Sequence, residues 1–185
     1  MNTQATERRG SGGMVERVPS ALERIDRRIT RWLATHGITL LRISVGIIFF
    51  WFGMLKFFPN SSPAEALAGL TIERLTFGVV RPNISLPVLA VWEVAIGLGL
   101  ISGRFMRATI LLLLVQMLGT LMPLFLFPNQ TWTQFPIVPT LEGQYIIKNI
   151  VLVTGALVVG ATVRGGDLVA DPDLADEFQR RVDTE

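Results

Sequence analysis

Four long apolar runs limit what this chain can fold into more than any other feature. They occupy residues 38–58, 86–102, 106–127 and 145–163. A helix needs about 20 mostly apolar residues, each rising ~1.5 Å, to cross the hydrocarbon core of a bilayer. The first, third and fourth runs meet that length, and the second is short unless it begins near Ile84. With a mean hydropathy of +0.47, the sequence predicts an all-α integral membrane protein, a bundle of four transmembrane helices.

The distribution of arginine and lysine predicts the orientation. One side of the membrane would carry twelve of them, in the N-terminal segment, the loop between the second and third runs, and the C-terminal tail. The other side would carry only Arg74 and Arg81. By the positive-inside rule, both termini are expected to be cytoplasmic. We expect a multi-pass membrane protein.

The chain outside the membrane domain divides into polar segments. The predicted parts are a disordered tail at 1–18, an amphipathic interfacial helix at 19–36, the four-helix domain at 37–164 and an acidic cytoplasmic tail at 165–185. Ser20 and Glu23 have capping-box spacing at the start of the amphipathic helix. We expect that helix to lie on the membrane surface before Gly37 turns the chain into the bilayer, although a solvated helix without a lipid role is the alternative. The tail is expected to form a short helix from Asp171-Pro172.

The two connections on the outer side have different compositions. Ser62-Pro63-Ala64-Glu65 has the N-cap, proline and glutamate pattern of a helix start, which predicts a short helix resting on the outer face of the bundle. In the second connection, Trp132 and Phe135 suit the membrane interface. Just before that connection, Pro123 is expected to kink the third helix.

Polar side chains interrupt the apolar runs at similar depths. Glu93, Thr120 and Lys148 each lie eight residues from the outer end of their helix, or roughly 12 Å below the outer surface. Lys56 is expected above them and Gln116 slightly below. An intramembrane charge costs ~2.5–3.5 kcal/mol, so these residues are expected to face the bundle interior.

We predict an ion pair between Glu93 and Lys148, and two interpretations of it are open. In the structural one, the pair fixes helix register and Lys56 extends to the interface. In the functional one, the pair lines a pocket in the outer half of the bilayer that binds a quinone carbonyl or a small anion. The predicted pocket residues are Lys56, Glu93, Gln116, Thr120, Gln144, Tyr145 and Lys148.

Cysteine is absent and histidine occurs once, at His36. These counts exclude disulfides, iron–sulfur clusters, thiolate zinc sites and paired-histidine haem ligation. We therefore expect no metal site, no catalytic residues and no independent catalytic activity. The residues indicate no cofactor other than a quinone that the predicted pocket could bind.

Three short motifs resemble the DoxX-like membrane protein superfamily. They are LRIS at 41–44 with FGMLKF at 52–57, WEVAIGL at 92–98, and GQYIIKN at 143–149. The arrangement is most similar to the YkgB/RclC branch, which is associated with reactive-chlorine resistance. The resemblance covers about residues 38–163 and implies a four-helix bundle of the inner membrane.

The resemblance also implies a class of function. It points to a non-catalytic or accessory component of a redox or oxidative-stress-resistance system, acting in the bilayer with an oxidoreductase partner protein. One alternative is the membrane subunit of a quinone-linked oxidoreductase. Another is a small transporter or proton pathway using Glu93. Nucleic acid is not an expected partner, and the oligomeric state is left open.

Overall fold

The computed structural model describes residues 21–58, 65–165 and Arg180. The helices are α1 (Ala21–Leu55), α2 (Glu65–Leu75), α3 (Pro82–Ser102), α4 (Met106–Leu121), α5 (Pro123–Leu126), α6 (Pro128–Thr131) and α7 (Leu141–Ala161), with a 3-10 turn at Thr162–Arg164. Two short strands, β1 (Trp132–Gln134) and β2 (Val138–Pro139), precede α7.

Among these residues, four helical segments are long and apolar enough to cross a membrane. They are Arg24–Leu55, Pro82–Ser102, Met106–Leu126 and Leu141–Ala161. The predicted four-helix membrane fold is therefore confirmed. The second span begins at Pro82 and has 21 residues, so it is not short. Which side of the membrane each terminus occupies stays a prediction.

The turn predicted at Gly37 is wrong. Helix α1 runs without interruption through that residue, so the amphipathic segment and the first span form one helix of 35 residues. A single glycine inside a helix costs only ~1 kcal/mol relative to alanine, and no proline follows to stop the helix. The membrane-surface location of this segment stays a prediction. Ser20 of the predicted capping box and Asp171-Pro172 lie outside the described residues.

Glycines bring α1 and α3 into backbone contact. A Cβ built on Gly97 would lie 2.5 Å from the backbone nitrogen of Phe50 and 2.7 Å from its Cα. A Cβ on Gly53 would lie 2.8 Å from the backbone nitrogen of Val94. Small residues allow transmembrane helices to approach this closely. The main apolar core forms around this contact and comprises Val45, Phe49, Ile96, Leu100, Leu113, Met117 and Ala156.

Arg42 caps the C-terminal end of α3. Its Nη1 donates hydrogen bonds to the carbonyl oxygens of Leu100 and of Ile101, the latter at 3.2 Å. These carbonyls belong to the last turn of the helix, where intrahelical donors are missing. Gly103 then ends α3 in the left-handed conformation, with φ of 68°. Arg42 thus ties the first span to the C-terminal end of the second.

The connections follow the predictions in part. The short helix α2 is confirmed, and its Leu67 packs with Leu124 and Ile146, although its predicted N-cap Ser62 is outside the described residues. At Pro123, where a kink was predicted, the helix is interrupted, because α4 ends at Leu121 and α5 starts at the proline. The antiparallel pair of β1 and β2 was not predicted. It leads into α7, where the Thr140 hydroxyl accepts a hydrogen bond from the Gly143 backbone at 3.2 Å.

Candidate functional site: a polar cluster beside an apolar cavity

Lys56, Glu93 and Gln116 form a hydrogen-bonded cluster inside the bundle. The Lys56 Nζ lies 2.5 Å from Glu93 Oε2, and both side chains are only 9% exposed. The Gln116 Nε2 donates to Glu93 Oε1 over 2.7 Å. Both carboxylate oxygens therefore have partners, one from the turn that follows α1 and one from α4. The cluster joins α3 and α4 to the C-terminal end of the first span.

The predicted Glu93–Lys148 ion pair is wrong. Glu93 pairs with Lys56, whereas Lys148 is exposed on α7 and its Nζ lies 5.1 Å from the centre of the Tyr145 ring. The residue counts predict a depth for each side chain, but they do not show which helices are neighbours. The close α1–α3 contact at Gly53 places Lys56 beside Glu93. The structural interpretation required Lys56 to extend to the interface. Lys56 is instead buried against Glu93.

The cluster lies on the wall of a cavity of about 630 Å³. Side chains of α1, α2, α3, α4 and α7 line it, and most of them are apolar. Of the seven predicted pocket residues, five line the cavity: Lys56, Glu93, Gln116, Thr120 and Tyr145. Gln144 and Lys148 do not line it; both are exposed on α7.

Two polar atoms in the cavity wall are buried without a hydrogen-bond partner. They are the Oγ of Ser85 and the Oε1 of Gln116. The two threonine hydroxyls of the wall are occupied: Thr120 donates to the Gln116 carbonyl at 3.1 Å and Thr71 to the Leu67 carbonyl at 2.6 Å. Sequence reasoning missed Ser85. Its signal was the four-residue spacing of Ser85, Leu89 and Glu93, which puts all three on one helix face.

The family comparison covers most of this site. The DoxX family model matches residues 37–127. That range contains Lys56, Ser85, Glu93 and Gln116. This part of the chain is similar to the DoxX family of membrane proteins. Helix α7, which supplies Tyr145 to the cavity, lies beyond the matched residues. No curated protein and no solved structure matches the chain significantly.

Part of the cavity wall lies on the exposed side of α3. Ile84 and Val88 line the cavity and are each 56% exposed. Because α3 is long and apolar enough to cross a membrane, we expect these two side chains to contact lipid and an entrance from the bilayer to lie beside them.

The residues of the site suit hydrogen bonding better than metal coordination. Within residues 21–58 and 65–165, there is no group of three or more histidine, aspartate or glutamate side chains that could hold a metal ion. The cavity instead offers the Lys56 ammonium group, the Gln116 amide oxygen and the Ser85 hydroxyl along an otherwise apolar wall. Pockets of 300–1,000 Å³ with apolar walls and a few convergent polar groups are typical sites for small organic molecules.

Proposed function

We propose that this chain is a DoxX-like protein, a non-catalytic accessory component of a membrane redox or oxidative-stress-resistance system, and that it binds a small molecule in its cavity. The observation that carries the proposal is the convergence of Lys56, Glu93 and Gln116 on a cavity of about 630 Å³. The similarity of its motifs to the YkgB/RclC branch supports the assignment to oxidant stress. Such a component acts in the bacterial inner membrane.

A purely structural cluster would not account for the whole arrangement. An ion pair alone can fix the register of two helices. However, a buried polar atom without a partner costs about 1–3 kcal/mol, and this cavity has two, on Ser85 and Gln116. A bound molecule that satisfied them would offset this cost. The unsatisfied atoms therefore favour a binding site over a structural brace.

A quinone-linked oxidoreductase subunit is the second candidate. It is favoured by the apolar walls and the expected entrance from lipid beside Ile84 and Val88, since quinones dissolve in the bilayer core. A chain without cysteine would need the bound quinone or a partner to carry electrons. Transport or proton movement through Glu93 has less support, because both oxygens of that carboxylate already have partners.

Filling the cavity tests the accessory role. Gly119 lines the cavity, and a Cβ there would meet nothing within 4 Å, so Gly119→Leu should occupy the space without moving a helix. Gly37→Leu is the matched control, because Gly37 is also a helical glycine with no neighbour within 4 Å but lies away from the cavity. Both variants are expressed in cells lacking the wild-type gene, and survival in hypochlorous acid is measured beside the amount of protein in the membrane.

We expect Gly119→Leu to lower oxidant survival to the level of the deletion strain while Gly37→Leu behaves as wild type. Glu93→Gln should give the same defect as the filled cavity. Wild-type survival with Gly119→Leu and Glu93→Gln, at equal membrane levels, would rule out the proposed role of the cavity.

An accessory role also requires a partner, and Lys148 supports one. It is exposed on α7 beside Gln144 and Val151, and a charge facing lipid is costly. Two copies meeting through this face would bring like charges together. We therefore propose that the partner contributes a spanning helix with a carboxylate at the depth of Lys148.

A photo-cross-linking amino acid at Val151, which is 70% exposed, tests the partner in native membranes. The proposal is supported by a cross-link to a spanning segment that contains aspartate or glutamate and that is lost with Lys148→Met. Cross-links to lipid alone, or to a second copy of the chain, would contradict it.

A further inference from the structure

The unsatisfied polar atoms of the cavity fall at two separate levels. Gln116 Oε1 and the remaining hydrogens of the Lys56 ammonium group lie beside Glu93. Ser85 Oγ lies two helical turns away on the same face of α3, which is ~12 Å along the helix at ~1.5 Å per residue. The hydroxyl is in the first turn of α3, where Gly69 of α2 packs against Pro82. Buried polar groups that lack a partner therefore lie at two levels of the cavity.

The wall between these two levels is apolar. Val88, Leu89 and Trp92 of α3 all line the cavity between Ser85 and Glu93. The indole nitrogen of Trp92 already donates to the Leu112 carbonyl at 3.2 Å, so it offers no free donor. A ligand that extends along this wall would need an apolar middle part.

The charges of the polar cluster balance within the site. The Lys56 ammonium group is matched by the Glu93 carboxylate, and both carboxylate oxygens are already bonded. An anionic ligand would compete with Glu93 for Lys56 and leave a buried carboxylate without its partner, which is costly. A cationic ligand would find no free carboxylate oxygen. An uncharged ligand avoids both penalties.

From this arrangement we infer that the cavity binds an uncharged, elongated molecule with a hydrogen-bonding group at each end and an apolar middle. One end accepts from Lys56 or donates to Gln116, and the other end bonds to Ser85. The molecule enters from lipid past Ile84 and Val88. The inference rests on the proposed function in taking this cavity as the ligand site, and it adds the chemical class of the ligand.

Three synthetic probes test the inference. They are 4-(4-hydroxybutyl)phenol, with a hydroxyl at each end; 4-butylphenol, which lacks the second hydroxyl; and 4-butylbenzoate, which is an anion. Tritiated probes are equilibrated by dialysis against the full chain in nanodiscs, and binding to empty nanodiscs is subtracted. Wild type, Ser85→Ala and Ser85→Thr are compared, the last because it keeps a hydroxyl if alanine impairs folding.

Comparing the two uncharged probes on wild type and on Ser85→Ala forms a double-mutant cycle that isolates the second hydrogen bond. The partitioning of each probe into lipid is the same for both proteins and therefore cancels. The second hydroxyl should improve the affinity for wild type about fivefold more than for Ser85→Ala. Ser85→Thr should retain part of that gain, and the benzoate should bind more weakly than 4-butylphenol. Tighter binding of the benzoate, or an equal effect of the second hydroxyl in wild type and Ser85→Ala, would overturn the inference.

The outcome is separable from that of the oxidant-survival test. Specific binding of the two-ended probe together with normal survival of Gly119→Leu would keep the ligand class and reject the proposed function. Loss of survival without specific binding of any probe above empty nanodiscs would do the reverse.

Discussion

Replacing Lys56 by methionine is the most direct test of the polar cluster. Both side chains of the Lys56–Glu93 pair are 9% exposed, so removing the ammonium group leaves a carboxylate that water cannot reach. Breaking a buried pair by removing one partner typically costs ~3–5 kcal/mol. Gln116 still donates to Glu93 Oε1 at 2.7 Å, which retains part of the stabilisation. We therefore expect Lys56→Met to lower the free energy of unfolding by about 3 kcal/mol, the low end of that range.

A second substitution should restore most of the loss. In Lys56→Met/Glu93→Gln, the buried charge is gone and the amide can still bond to Gln116. We expect the double variant to lie within about 1 kcal/mol of wild type, because a neutral replacement of a buried ion pair is often nearly neutral in stability. Lys148→Met is the control, since removing an exposed charge that has no carboxylate partner should not lower the free energy of unfolding.

Reversible unfolding in mixed micelles, titrated with dodecyl sulfate and followed by far-ultraviolet circular dichroism, gives the free-energy differences for Lys56→Met, Glu93→Gln, the double variant and Lys148→Met. The cycle must show coupling between the two substitutions. If the two single losses simply add in the double variant, or if Lys148→Met costs as much as Lys56→Met, then Glu93 does not pair with Lys56 in the way described here.

Two further predictions concern the packing of the spans. Gly97→Ala should destabilise the protein by about 1–3 kcal/mol, because its Cβ would meet the backbone of Phe50. Gly119→Ala should be neutral or stabilising by up to about 1 kcal/mol. The same unfolding titration compares the two variants, and equal effects would contradict the close contact between α1 and α3. Arg42→Met should cost about 1–2 kcal/mol and speed hydrogen exchange in the last turn of α3, since the end carbonyls lose their donor; unchanged exchange there would contradict the capping role.

The sequence was sufficient to predict the spans, but not which polar side chains of different spans meet. Hydropathy defines how long a helix can be, and residue counts predict a height for Glu93 along its helix. Neither shows which side of a helix faces which partner. Both Lys56 and Lys148 were chemically suitable for Glu93, and the choice was made by the backbone contact at Gly53 and Gly97. The sequence showed these glycines but not that they meet.

Local signals explain the other differences. Gly37 suggested a turn, but the cost of one glycine is small beside the helix-forming residues on both sides. The proline-rich connection after Pro128 gave no alternating pattern from which β1 and β2 could be predicted. Ser85 escaped notice because a serine in the first turn of a helix is common. Only its burial in the cavity wall distinguishes it.

The uninterrupted α1 is longer than the bilayer is thick. Its 35 residues extend ~52 Å, whereas the hydrocarbon core is ~30 Å thick. If the helix stands upright, its first turns rise well beyond the lipid headgroups and carry Arg24, Arg27 and Arg28 with them. A protein docking there would contact a positively charged helix end. The length of α1 would set the distance between that protein and the bilayer.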